Sequence, residues 1–217
     1  MTGRSEMKLP GKKSDIISAR SAAICGIAAP ITFVSAIIVA GALRPDYDHA
    51  TQYISALGVG GDASAYVMNF GGFFLFGLLL LMFSYGLSKR IDFNITSENI
   101  PYADAMKIMV PIMIGVSGAG YILTSFCTAD SASLHGITGF FAGFVFFLPL
   151  ITTFSFKYDR WWKKFYIFSL AIFVAQAIIG LAFRFSFGDM IGLQQRISYA
   201  PLLIWVEVIA LRLYRLS

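Results

Sequence analysis

The sequence predicts an all-α integral membrane protein: a six-helix bundle with both termini in the cytoplasm and a short outer amphipathic helix after the first span. Three observations carry this. First, 57% of the 217 residues are hydrophobic and 13% charged, where a soluble domain carries about 25% charged residues. With a mean hydropathy of +0.72, the chain exposes more apolar surface than so few charges could keep in water. Second, apolar residues gather in six stretches, at about 21–43, 63–87, 106–126, 132–156, 163–185 and 195–213. Each is near the ~20 residues that cross ~30 Å of hydrocarbon. Third, with the N-terminus inside, fourteen of the seventeen Lys and Arg fall on the inner side, as cytoplasmic loops require.

The elements follow in order. Residues 1–20 form a basic cytoplasmic tail containing Arg4, Lys8, Lys12, Lys13 and Arg20, and residues 21–217 form one transmembrane domain. The first apolar run reaches Leu43, too long for the h-region of a signal peptide, so it is read as a retained first span. No lipidation motif is present. After it, Asp48 to Gly58 reads as a helix with Ala50, Ile54 and Leu57 on one face and His49, Gln52 and Tyr53 on another. Such a helix would lie on or dip into the outer membrane surface. Gly58, Gly60 and Gly61 end it. Spans two and four open on similar strings, Asp62-Ala-Ser-Ala and Asp130-Ser-Ala-Ser, and Asp189 precedes span six. Helix N-capping accounts for these strings; so would a decayed parallel repeat. Trp161 and Trp162 beside Lys163 and Lys164 read as an inner interface belt.

Gly139 and Gly143 in span four, and Gly115 and Ala119 in span three, offer small-residue faces for helix contacts, through which the chain could also form a homo-oligomer. Pro30, Pro111, Pro149 and Pro201 lie in or near spans, where membrane helices tolerate them. Cys25 and Cys127 fall near opposite membrane faces, too far apart for a disulfide. The net charge of +5 is explained by orientation, so no nucleic-acid partner is expected.

The polar residues near the spans collect on the outer side. Arg44, Asp46, Tyr47, Asp48, His49, Gln52 and Ser55 follow span one, and Asn69 lies inside span two. Asp130, Ser133 and His135 begin span four; Gln194, Gln195 and Arg196 begin span six. Span five carries Gln176, Gly180 and Arg184 on one stripe, and span six carries Arg196, Tyr199 and Glu207 roughly on another. Intramembrane charges cost ~2.5–3.5 kcal/mol at the helix centre, so they face the bundle interior. The expected ligand site is therefore one outer-leaflet pocket of Arg44, His49, Gln52, Ser55, Asn69, Asp130, His135, Arg184, Gln195 and Arg196. Its occupant would be a membrane lipid or small anionic molecule, held by the arginines, in a transporter or transport accessory. A second reading places zinc on His49, His135 and Asp130 and makes the protein a lipid hydrolase, with Ser55 or Ser133 as the other candidate nucleophile. No HExxH or GxSxG motif supports it. A third reading is an accessory subunit whose outer residues only cap and solvate.

Several strings also resemble the uncharacterised membrane family known as domain of unknown function 998. They are Leu43-Arg-Pro-Asp-Tyr, Gln52-Tyr-Ile-Ser-Ala-Leu-Gly58, Tyr66-Val-Met-Asn69-Phe-Gly71, Cys127-Thr-Ala-Asp130, Leu134-His135-Gly136 and Gly192-Leu-Gln194-Gln195-Arg196. The resemblance covers about residues 22–215. Thr128-Ala129 stands where the family usually has a proline before the outer Asp. The resemblance implies a six-helix fold in a prokaryotic-type cell membrane and no established activity.

Overall fold

A computed structural model describes residues 17–90, 103–156, 163–186 and 189–217 of the chain. The basic tail and the sequence-predicted features in 91–102 and 157–162, Trp161 and Trp162 among them, lie outside the described residues. Six helices are long and apolar enough to cross a membrane, as in a multi-pass membrane protein. They are α1 (Ala19–Ala42), α2 (Ala63–Lys89), α3 (Ala103–Phe126), α4 (Ala132–Phe154), α5 (Phe165–Ser186) and α6 (Ile191–Leu216). No strand occurs among the described residues.

Local chemistry sets the helix starts. Ser18 caps α1 by accepting the Ser21 N–H at 3.0 Å, and Asp62 caps α2 by accepting the Ala65 N–H at 2.8 Å. Both are the expected N-cap types. Two spans are not regular throughout. Val67–Phe74 in α2 is a π-helical stretch, and Gly143–Phe147 in α4 is 3-10 helix just ahead of Pro149. The start of α6 at Ile191 places Gln194, Gln195 and Arg196 within its first turns.

Each helix packs on its neighbours in sequence, and α1 also packs along α6, which closes the six into a ring. Arg20 at the start of α1 donates to the Tyr214 hydroxyl near the end of α6 at 2.6 Å, so the two ends of the described chain share one face. Small residues allow the closest crossings. Gly77 meets the Gly118 backbone between α2 and α3, and a β-carbon at Gly26 would stand 2.7 Å from Ala210 Cβ and from the Phe83 ring. The expected faces behave differently. Gly115 lies against Ser84 of α2, whereas a β-carbon at Gly139 or Gly143 would meet open space.

The core is aromatic at mid-height. Phe33 stacks on Phe76 at 4.7 Å, and Tyr121 meets Phe76 edge-on at 4.8 Å. Buried aromatics keep their polar tips matched: Tyr121 donates to the Tyr199 hydroxyl at 3.0 Å, and Trp205 Nε1 donates to Ser169 at 2.9 Å. Helix α5 is the outlier. Only 6% of its apolar window is fully buried inside the protein, against 33–50% for the other five; Phe165, Tyr166, Phe168 and Ile172 pack partly buried against the core and a whole face is left outside the bundle.

The loop after α1 departs from the expected helix over Asp48–Gly58. Only Ile54–Gly58 is helical, in 3-10 form. The residues before it have better partners than a helical ladder. Asp48 accepts from the Ala50 N–H and the Thr51 hydroxyl, both at 2.8 Å, and the Ala50 carbonyl accepts from Leu193 N–H of α6 at 2.8 Å. Side-chain and long-range bonds of this kind compete directly with helix formation.

Candidate functional site

The loop between α1 and α2 folds over one end of the ring and is stapled there by polar side chains. Arg44 donates to the carbonyls of Ala56 and Val59 and pairs with both carboxylate oxygens of Asp62 at 2.9 Å. Asn69, from the π-helical turn, donates to Gly58 O at 2.9 Å, and Ser64 donates to Ala40 O at 2.9 Å. Gln195 accepts the Ile54 N–H at 2.7 Å. Arg196 donates to Gln52 O at 3.2 Å, to Gly192 O at 2.8 Å and to the Tyr47 hydroxyl. The Tyr47 hydroxyl in turn donates to Tyr53 O at 2.8 Å. His49 lies over α1, its ring edge-on to Tyr47 at 5.0 Å and so close to Gly41 that a β-carbon there would stand 2.5 Å from it.

The local electrostatics follow from these contacts. Asp62 and Asp48 are held below the usual carboxylate range, first by the backbone N–H groups they accept from and then by Arg44 and Thr51 respectively. Burial, and then the Arg196 charge, push the His49 pKa down. Burial pushes the Tyr47 phenol up despite its bond to Arg196.

Beneath the loop lies a cavity of about 160 Å³ lined by Ile54, Ser55, Phe73, Tyr121, Thr124, His135, Gly139, Ala142, Gln195 and Tyr199. Three of the sequence-predicted site residues, Ser55, His135 and Gln195, therefore meet here, one each from the loop, α4 and α6. Their remaining hydrogen-bonding capacity can be assigned from chemistry. His135 Nδ1 is 2.8 Å from Cys127 O. A carbonyl can only accept, so Nδ1 carries the proton, and in the neutral ring Nε2 is left as an acceptor. Gln195 uses its oxygen on Ile54 N–H, which leaves its amide NH₂ to donate. Thr124 spends its proton on Gly120 O at 2.8 Å and keeps an accepting oxygen. The Ser55 hydroxyl has no partner among the described residues. The cavity thus offers both donors and acceptors. A second recess of about 310 Å³, lined by Tyr53, Phe146, Ile191, Gln194, Gln195, Ser198 and Tyr199, shares the Gln195–Tyr199 wall.

The other expected site residues go elsewhere. Arg44, Asn69 and the Gln52 backbone hold the loop. His49 and Arg196 line a separate groove on the far side of Ile54 and Tyr199. Asp130 is exposed and has Thr128 at 3.5 Å, and Ser133 is exposed. The Arg184 side chain lies outside the described residues. The zinc set of His49, His135 and Asp130 is not assembled: the two histidines line different cavities, and no group of three His, Cys, Asp or Glu that could hold a metal occurs among the described residues. Tyr121 and Thr124 are cavity residues that sequence reading missed. Their i, i+3 spacing, matched by Gln195 and Tyr199 at i, i+4, was the available signal, since such pairs share a helix face.

A family model described as "Protein of unknown function (DUF998)" matches residues 27–212. No curated protein and no solved structure matches the chain.

Proposed function

The chain belongs to the DUF998 family of unknown function, and we propose that it binds a small uncharged polar molecule, or the uncharged polar end of a membrane lipid, in the cavity beneath the α1–α2 loop. One observation carries this reading. Ser55, His135 and Gln195 come from three separate elements and bring unmet hydrogen-bonding capacity to one cavity. All three are half-buried, and a shared hollow edged by several spare donors and acceptors suits a small polar occupant. The size agrees: about 160 Å³ is several waters' worth of liquid volume at ~30 Å³ each. Neither Arg44 nor Arg196 lines this cavity, which supports an uncharged occupant here. The charge bias of the sequence supports a cell-membrane protein with this end of the ring facing outward.

The test is to identify what co-purifies with the protein. Gly139 lines the cavity, and a side chain there meets open space, so Gly139→Leu fills the hollow without breaking a hydrogen bond. Mass spectrometry of extracts from the purified wild-type protein should find a stoichiometric small molecule that is missing from Gly139→Leu and His135→Phe. The same species at equal amount in all three proteins, or none in the wild type, would refute the reading.

A further inference from the structure

We propose a second, independent site: the groove between α1 and α6 holds one acyl chain of an anionic phospholipid whose phosphate head sits against Arg196. Gln195 and Arg196 are adjacent on α6, and successive helical residues point about 100° apart. Gln195 faces the inner cavity, while Arg196 faces the outside of the ring, where α1 and α6 run side by side.

The groove there measures about 310 Å³. Its walls are Phe33, Val34, Ile37, Ile38, Ile54, Tyr199, Ala200 and Leu203, and only His49 and Arg196 bring polar heads to it. Val34, Ile38 and Ala200 are exposed on this side, so the groove opens where bilayer lipid would lie. Its shape and lining suit a hydrocarbon chain.

The charge at the groove's end selects the head group. A guanidinium is permanently charged and carries five N–H donors. Arg196 commits three of them, two on carbonyls and one on the Tyr47 phenol. Its Nε is buried and has no hydrogen-bond partner among the described residues, which leaves that N–H and one on Nη2 to donate. Arg196 forms no ion pair among the described residues, the pair at this end being Arg44–Asp62; the nearby Asp48 carboxylate is taken up by the Ala50 N–H and the Thr51 hydroxyl. His49 adds no second charge near neutral pH, because burial and Arg196 itself disfavour its protonation. One unneutralised cation beside an apolar groove at the membrane edge is complementary to a phosphate carried on an acyl chain. The remaining Nη2 N–H can donate to that phosphate, and the permanent charge draws it in.

Native mass spectrometry of the full chain purified in detergent tests this. The protein is titrated with dioleoylphosphatidylglycerol and with dioleoylphosphatidylcholine, which share chains and differ in head-group charge. The wild type should retain one phosphatidylglycerol with a preference of about tenfold, because both lipids offer the same phosphate but the choline cation of the second repels the Arg196 charge by an amount of that order. Ala200→Trp, which fills the groove from its exposed wall, should abolish retention. Arg196→Gln should remove the preference and Arg196→Lys should keep most of it. Should Arg196→Gln fail to fold, Ala200→Trp decides the matter. Gly139→Leu, in the separate cavity, should change nothing, so failure of the cavity reading leaves this one standing. Equal retention of the two lipids by the wild type, a preference that survives Ala200→Trp, or displacement of the lipid by inorganic phosphate alone would overturn the proposal.

Discussion

Replacing Gln195 by leucine isolates what this one side chain does for the loop. Its oxygen accepts the Ile54 N–H at 2.7 Å, and Ile54 is 1% exposed. Leucine has nearly the same size and no acceptor, so the N–H is left in a place that water does not reach. An orphaned buried donor costs ~1–3 kcal/mol. That cost falls on local opening of the loop rather than on the whole bundle, because the six spans keep their own packing. Amide hydrogen exchange reads it directly: exchange at Ile54 in detergent should quicken by roughly five- to 150-fold while core amides of α2 and α3 are unchanged. Gln195→Glu sharpens the test. It keeps an accepting oxygen for Ile54 and removes the amide donor that faces the cavity, so protection at Ile54 should survive while ligand binding is lost. Unchanged exchange in the leucine variant, or equal loss of protection in both, would show that Gln195 does not staple the loop.

Other predictions follow from the same end of the molecule. Gly192→Ala places a β-carbon 2.7 Å from His49 O and closer still to Gln52 O; backbone cannot give way as a side chain can, so denaturant titration should show a loss of ~1–3 kcal/mol or more. Arg44→Ala removes the donor to two loop carbonyls and the partner of Asp62, and limited proteolysis should cut within residues 43–62 faster than in the wild type. Asp62 is held below its ordinary pKa, so its contribution is complete above the unfolded value of ~3.9 and lost as pH falls through the folded one; thermal melts should be flat from about pH 8 to 5, as far as this group goes, and fall below about pH 4, with Asp62→Asn removing that fall. His49 works in the other window. Its folded pKa is depressed, so the unfolded chain binds the proton more readily and stability should begin to drop below about pH 6.5, a drop that His49→Asn removes.

Much of the fold was legible because hydropathy over ~20 residues is a strong signal. All six spans appear where the apolar runs lie, and Asp62 caps the helix it precedes. The loop was less legible. Periodicity in Ala50, Ile54 and Leu57 predicts a helix, yet the bonds that decide its shape come from Leu193, Gln195 and Arg196, more than 130 residues away in sequence. The candidate site was half legible for the same reason. Ser55, His135 and Gln195 announce themselves as polar residues at span ends, but residue type cannot show whether an arginine faces a ligand or a carbonyl. Arg44 proved to be a clamp for its own loop. The Gly139–Gly143 pair reads as a helix contact, yet among the described residues a β-carbon at either glycine would meet open space.

The wide turn of α2 has a consequence of its own. A helix advances about 100° per residue, so a π-helical stretch absorbs what amounts to an extra residue without carrying the rotation forward. Val67–Phe74 therefore acts as a phase adjuster between two segments of one span. On one side of it, Asp62 and Ser64 must face the loop; on the other, Gly77 must face Gly118. A strictly α-helical α2 could satisfy one set or the other. Deleting a single residue from this stretch should therefore let α2 wind as a regular α-helix with both the Asp62–Arg44 pair and the α2–α3 crossing intact, whereas a deletion in the regular turns after Leu75 should swing the loop-end segment by about 100° and break that pair.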